Sequence, residues 1–263
     1  MCHTHGTNRQ ISSRQSQRGT FPHVLRIDFV TLFPEMMLVA QRHSMLERAE
    51  IAGLVSWNAA NPRDFCYDRH AKVDDSPYGG EAGMLLRVEP IALALNHLGI
   101  SREQPGHVVI VTDPAGIPFQ QKHANQLANS QRIAILCGHY EGFDHRVVTE
   151  LATYQFSLGD FVLTGGELPA LMMADAIVRQ VPGVLGNEAS LASDSFREGL
   201  LSAPNYTRPE IWNQAQVPPE LRSGDHKQIT KWRRTASLLA TKKNRPDLFA
   251  RATLAKSDLD LLS

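Results

Sequence analysis

Three glycine-bearing loops hold the residues with most to offer a ligand. They are Thr112-Asp113-Pro114-Ala115-Gly116, Gly138-His139-Tyr140-Glu141-Gly142, and the run from Leu158 to Glu167, LGDFVLTGGE. Each follows a short apolar stretch: HVVIVT (His107 to Thr112), RIAILC (Arg132 to Cys137), and Tyr154 to Leu158. Glycines at strand ends let a ligand approach the main chain and leave N–H and C=O groups to meet it. In open parallel α/β sheets ligands sit outside the carboxyl ends of the strands, so three such loops in one sheet would converge on a pocket. Taken singly, each also reads as a turn. Neither GxGxxG nor GxxxxGK[ST] occurs, which removes the usual dinucleotide fingerprint and the P-loop. Walls of backbone groups and short apolar side chains suit an adenosine moiety better than a triphosphate.

The elements that must position these loops are legible in outline. Leu25 to Phe33, LRIDFVTLF, reads as a first strand stopped by Pro34, and Glu35 to Ala52 has helical apolar spacing. Asn61 to Met84 is polar and turn-rich, a length of loop that in a compact domain is usually functional or mobile. Phe119 to Ser130, Asp144 to Leu151 and Glu167 to Val181 read as helices between and after the strands. Strand–helix alternation of this kind predicts a parallel sheet covered by helices, an α/β fold. Pro182 to Ser195, PGVLGNEASLASDS, has no periodicity and reads as a linker. Beyond it, Asp225 to Lys243 has helical spacing with Ile229, Trp232, Leu238 and Leu239 at candidate buried positions, and Pro246 to Leu262 also reads as helical. The expected organisation is an extension at 1–24, an α/β domain at 25–181, a linker at 182–195 and a small α-helical domain at 196–263. The first 24 residues are polar and lack the apolar core of a secretory signal. They read as a disordered extension or as an upstream start outside the fold.

Composition sets further bounds. Of 263 residues, 42% are hydrophobic and 21% charged, as expected of a globular chain that buries a core. The 27 basic and 27 acidic residues balance, so any nucleic-acid partner must be met by a local face. Met1 to Arg26 holds four arginines and no acid, and Arg222 to Arg251 holds nine lysines and arginines against Asp225 and Asp247. Such a face binds a phosphate backbone by counterion release, though a solvated helix face has the same composition. Cys2, Cys66 and Cys137 are far apart and form no CxxC pair, so no motif for a protein-bound metal is present and a reducing, cytoplasmic setting is expected. The best apolar run, Leu171 to Val178, is broken by Asp175 and is far short of the roughly 18 residues of a membrane span. No membrane partner is expected.

Several longer strings occur in order: LFPE (Leu32 to Glu35), DRH…VDDSPYGG (Asp68 to Gly80), CGHYEG (Cys137 to Gly142), GDFVLTGGELPA (Gly159 to Ala170), PGVLGNEAS (Pro182 to Ser190), DSFREGLL (Asp194 to Leu201) and PNYTRPE (Pro204 to Glu210). With these, the chain from Leu25 to its C-terminus closely resembles the bacterial tRNA (guanine-37-N1)-methyltransferases of the SPOUT superfamily. The resemblance implies a deep trefoil knot in the α/β domain, which no periodicity argument would propose. It implies a homodimer whose active sites are each built from both subunits. It also implies methyl transfer from S-adenosylmethionine to N1 of guanosine 37 in tRNA, with Mg2+ required for activity. Carried over motif by motif, the donor pocket would include Pro114, Gly116, Gly138, Tyr140, Glu141, Leu158, Gly159, Val162, Leu163, Gly165, Gly166 and Pro169.

Guanine N1 is protonated at neutral pH, so methylation there needs a base for that proton and a cation or N–H donor for charge developing on O6. The resemblance gives these roles to Asp194, in the DSF string, and to Arg179. On their own, Asp194 could equally be a helix N-cap and Arg179 a solvated residue at a helix end. Glu141 is a candidate to place the donor or Mg2+, or a hydrogen-bonded turn residue. Arg69, His70, Asp74 and Asp75 are candidates beside the substrate base, where surface ion pairs would look identical. Arg208, Lys227, Lys231, Arg233 and Arg234 are candidate phosphate contacts, and Trp232 is a core residue or a stacking platform. The chain departs from the family pattern at Glu81-Ala82, where many members have Gly-Pro, and at His139, where Arg is also found. Three rival readings are another knotted RNA methyltransferase acting elsewhere, such as at a ribose 2′-OH, a non-catalytic RNA-binding protein, and a small-molecule nucleotide enzyme.

Overall fold

The apolar runs become the strands of one sheet. In the computed structural model, which describes residues 24–186 and 194–262, the strands are β1 (Leu25–Val30), β2 (Val55–Ala60), β3 (Asp74–Asp75), β4 (Leu85–Leu86), β5 (His107–Pro118), β6 (Arg132–Cys137) and β7 (Tyr154–Ser157). Five of them form an all-parallel sheet in the order β2-β1-β6-β5-β7. The two-residue strands β3 and β4 pair antiparallel and close the long polar loop.

Helices cover both faces. Ile133 and Ile135 of β6 join Phe29, Ile110 and Phe156 in a core shared with α1 (Pro34–Ala40), α2 (Ser44–Ile51), α4 (Gln121–Leu127) and α5 (Glu167–Val178). Their sequence neighbours Ala134 and Leu136 point the other way, into a core with α3 (Val88–Leu98) and the π-helical turn Val147–Leu151. Burial on both sides is why these strands read as continuous apolar runs instead of alternating ones. A carboxylate on β1 interrupts the core: Asp28 is fully buried and takes Arg26 at 2.9 Å and Arg132 at 3.0 Å. Arg132 also donates to the carbonyls of Leu98 and Gly99 at the end of α3, so one guanidinium joins two strands and a helix.

Several expected boundaries change. Glu35 to Ala52 is two helices, because the chain turns at Gln41 to His43 and Ser44 takes a positive φ of 58°. β2 and α3 are elements that the periodicity reading did not place. The linker expected at 182–195 is partly packed structure, since Val184 is 7% exposed in the first core. Its residues 187–193, and the extension at 1–24 apart from Val24, lie outside the described residues. The C-terminal part is helical over His226–Asn244, Pro246–Arg251 and Lys256–Asp260, but it also carries a hairpin of Ile211–Trp212 with Ala215–Gln216. Asn213 and Gln214 turn that hairpin with positive φ, the geometry that two-residue hairpins favour. Leu238 is buried as expected, whereas Leu239 is 52% exposed, one residue round the helix from the seam.

Candidate active site

An irregularity within β5, where the pairing with β7 shifts register between Thr112 and Ile117, and the loops after β6 and β7 close on one cavity of about 340 Å3. The segment 112–116, expected to be a loop after a strand ending at Thr112, is part of that longer strand. Of the twelve residues expected to hold the donor, Pro114, Gly138, Tyr140, Glu141, Leu158, Gly159, Val162, Leu163, Gly165, Gly166 and Pro169 line it. Gly116 does not line it. A Cβ at Gly116 would lie 2.6 Å from the Gln155 carbonyl and the Phe156 nitrogen, so this glycine lets β5 lie against β7.

Glycine at the cradle also meets a packing requirement that the sequence did not indicate. A Cβ on Gly166 would stand 2.6 Å from the Gly138 nitrogen and 2.8 Å from the Cys137 α-carbon, and would collide with the Thr112 hydroxyl. The Gly166 N–H donates to the Gly138 carbonyl at 2.8 Å, and His139 forms a bridge with Gly165. Glycine here lets two loops meet main chain to main chain. The ligand-facing surface is what remains between them.

The turn at 138–142 is held from the other side by the long polar loop. Glu141 N–H donates to the Met84 carbonyl, Leu86 N–H to the Gly142 carbonyl, and the Glu141 side chain packs on Gly83. Tyr140 takes a positive φ of 59°, a strained conformation of the kind found at functional sites. Its hydroxyl is 3.4 Å from the Arg63 guanidinium.

Under the cradle lies a buried polar cluster that sequence reasoning missed. Glu167, 4% exposed, accepts from the Thr31 hydroxyl at 2.6 Å and pairs with His139 Nε2 at 2.8 Å. It joins the end of β1, the turn after β6 and the first turn of α5, where an acid also suits the helix dipole. Burial, with the Glu167 charge adding to it, pushes the adjacent Cys137 thiol well above its usual range, which keeps it a neutral packing group. The available signal was the GGE string at a helix start. Asp113, Ser157 and Phe161 also line the cavity; Asp113 and Phe161 lie in segments already singled out, and Ser157 ends β7 just before the third.

Asp194 and Arg179 meet. Arg179, the residue that ends α5, donates through Nη2 and Nε to one Asp194 oxygen at 2.6 and 3.2 Å. Both side chains are about two-fifths exposed, at 42% and 39%. The pair stands outside the cavity between the loops: Asp194 lines a separate cleft with Arg233 and Arg234, and Arg179 a third with Met45 and Arg48.

Comparison with known proteins decides the family. Residues 25–251 match the family model described as tRNA (Guanine-1)-methyltransferase TrmD. Proteins named tRNA (guanine-N(1)-)-methyltransferase from Staphylococcus epidermidis and Dehalococcoides mccartyi are 45% and 48% identical over 238 residues, 90% of this chain and 96% of theirs. One from Desulforamulus reducens is 46% identical over 238 residues, 90% of this chain and 94% of its own. The chain belongs to the TrmD family.

The other residues that the TrmD resemblance singled out are spread over two surfaces. Arg69 and His70 are exposed on a turn organised by Asp68, whose carboxylate accepts from the main chain of His70 and Lys72; the Lys72 N–H, above all, holds that carboxyl below its usual range. Asp74 sits half-buried in β3, and Asp75 beside it is exposed. Arg208, Lys227, Lys231 and Arg233 are exposed, the last three on the helix His226–Asn244. Asp225 caps that helix, accepting from Lys227 and Gln228 N–H. Arg234 is otherwise engaged: it grips Asp258 with two bonds of 2.7 and 2.8 Å and Glu198 at 2.9 Å. With its donors turned to carboxylates, its geometry is that of a structural tie. Trp232 packs edge-on against Tyr206 with ring centres 6.0 Å apart.

Proposed function

We propose that this chain, as a member of the tRNA (guanine-N1)-methyltransferase family, transfers a methyl group from S-adenosylmethionine to N1 of guanosine 37 in tRNA, in the cytoplasm. The observation that carries the reading is the cradle. Three main-chain-walled segments of adjacent strands, the irregular stretch of β5 and the loops after β6 and β7, enclose a volume of about 340 Å3, within the range of small-molecule sites. Its walls combine glycine backbone with Pro114, Leu158, Val162 and Leu163, a surface for a flat base, a ribose and a thioether chain. The donor supplies an electrophilic methyl group with a neutral thioether as leaving group.

The protein's work is positioning and proton removal. Asp194 takes the N1 proton, and the N1 electron pair goes to the methyl carbon as the C–S bond breaks. Arg179 stabilises charge on O6. In the free chain Arg179 is paired with Asp194. A guanine entering between them would take the guanidinium on O6 and leave the carboxylate facing N1–H. The bound base thereby completes the arrangement that deprotonates it.

We also propose that the active unit is a homodimer with composite sites. Two observations support this. Asp194 and Arg179 lie outside the cradle of their own chain. Phe33, Met36 and Val39 around α1, with Leu168 and Met172 on α5, are exposed large apolar residues on two helices that pack together, and a patch of this kind marks a protein interface. We further propose a trefoil knot: β7 lies at the sheet edge, yet the chain returns beside β6 by laying 158–166 against the 138–142 turn.

Mg2+ is proposed as a requirement for turnover. Among the described residues no group of three His, Cys, Asp or Glu could hold a metal. An ion there would keep most of its water, as Mg2+ favours, with Asp113 and Glu141 as cavity-lining carboxylates. Tritium transfer to tRNA transcripts, with mass spectrometry of the methylated nucleoside and with G37 replaced by A, tests the function. Labelled 1-methylguanosine from the G37 transcript alone is expected, and a 2′-O-methyl product would refute the assignment.

A further inference from the structure

Asp194 opens a loop that is fastened to the C-terminal helix, although its sequence context suggested a linker. Ser195 and Ser202 close the loop at its neck, with hydroxyls 3.0 Å apart and Ser202 N–H donating to Ser195 Oγ at 2.9 Å. Phe196 N–H donates to the Leu200 carbonyl at 2.7 Å. Leu200, 5% exposed, anchors the loop in the protein. Both main-chain groups of Leu201 then go to the helix His226–Asn244: its N–H donates to Thr241 Oγ1 at 2.9 Å, and its carbonyl accepts from Ser237 Oγ at 2.5 Å. Thr241 is fully buried and passes its own proton to the Ser237 carbonyl at 2.7 Å, so its hydroxyl is oriented to accept from Leu201. Arg234, about two turns before Thr241 on the same helix, holds Glu198 of the same loop.

Thus the loop has two holds. Arg179 of α5 grips it at Asp194, and the hydroxyls of Thr241 and Ser237 grip it at Leu201. The second hold sits on the helix that exposes Lys227, Lys231 and Arg233. A cleft of about 390 Å3 runs between loop and helix, with Asp194, Arg233, Thr230 and Ser237 among its walls.

We propose that Thr241 is a positioning residue for the reaction: through Leu201 and the 194–202 loop it fixes Asp194 relative to the helix that meets the RNA backbone. The element that receives the substrate thereby also sets where the base stands. This inference rests on reading Asp194 as the base. Its physical content is geometric, since a misplacement of about 1 Å at a reacting group costs on the order of a hundredfold in rate.

The test uses the full chain with Thr241→Val, which keeps the shape and removes the oxygen, and Thr241→Ser, which restores it. Single-turnover methylation of a tRNA transcript is measured beside the dissociation constants for tRNA and S-adenosylmethionine, with amide exchange at Leu201 as a direct probe of the tether. Thr241→Val is expected to slow the single-turnover rate by about tenfold or more with both affinities unchanged, and Thr241→Ser to recover it to within about threefold. A wild-type rate in Thr241→Val overturns the proposal. So does an equal defect in Thr241→Ser, or a rate loss matched by lost tRNA affinity. Asp194→Asn, run in parallel, separates the two claims. If it is inactive while Thr241→Val is not, the tether alone is wrong. If it keeps full rate, the base assignment falls and the positioning role falls with it, while exchange at Leu201 still reports whether the tether exists.

Discussion

The donor cradle and the Asp194 loop are built on opposite plans. The cradle is held by main chain: Gly166 to Gly138, Glu141 to Met84 and Leu86 to Gly142. Beneath it lies the buried carboxylate of Glu167. The Asp194 loop is held by side chains, through Arg179, Ser237, Thr241 and Arg234, and its two functional groups are substantially exposed. A surface that binds a donor of fixed shape is served by walls already in place. A pair that opens around an incoming guanine, as proposed for Asp194 and Arg179, is served by contacts that exchange at small net cost, as exposed ion pairs do. The difference predicts that binding and chemistry are separable by mutation.

The largest expected effect tests that separation directly. Asp194→Ala removes the proposed proton acceptor and should lower turnover by roughly a hundred- to ten-thousand-fold, the contribution of a general base. S-adenosylmethionine affinity by calorimetry should stay at the wild-type value, because Asp194 lies outside the cradle. Donor binding lost along with turnover would break the contrast. Arg179→Ala should cost about a hundredfold in kcat, as for one donor to a developing oxyanion, with tRNA affinity less affected. A defect confined to affinity would make Arg179 a binding residue.

Gly166→Ala should do the reverse. The added carbon meets the Gly138 nitrogen and the Cys137 α-carbon, backbone that cannot step aside. Overpacking of this sort costs about 1–3 kcal/mol, so donor affinity should fall by roughly tenfold or more, while the Asp194–Arg179 pair is untouched. Calorimetry with the donor reads the first part. Normal donor affinity would mean that the two loops do not need their main-chain contact.

These two regions also differ in how far the sequence revealed them. β1, β5 and β6 were legible because strands buried on both faces carry unbroken apolar runs, and two of the cradle segments follow from where strands end. The third, at Thr112 to Ala115, is an irregular stretch inside β5, which runs on past its apolar part to Pro118. β2 was not legible, since Ser56 and Asn58 interrupt it, and an edge strand tolerates them. α3 was hidden by Pro90, which reads as a breaker yet falls in the first turn of the helix, where its missing N–H costs nothing. The backbone contacts that Gly116 and Gly166 accommodate were not legible, because the segments they meet come from distant sequence. The hold on Asp194 could not be read at all. Ser237 and Thr241 look like polar residues on a solvated helix face until the Leu201 main chain is seen to need them.

The smallest effect concerns the outer end of that side-chain scaffold. The Arg234 guanidinium, bound to Asp258 through two hydrogen bonds, holds the Asp258 carboxyl below the usual carboxylate range. A group whose pKa is lower in the folded state binds its proton more weakly there than in the unfolded chain. Its stabilising contribution is therefore complete above the unfolded value of about 3.9 and fades as pH falls through the lower, folded one. Asp258→Asn keeps the shape and removes the titration, so the mutant should be slightly less stable than wild type at pH 7 and lose less stability between pH 5 and pH 3. Thermal unfolding at those pH values checks it. An unchanged pH slope would mean that Arg234 does not depend on Asp258 for its position, and that Glu198 is its working partner in holding the Asp194 loop.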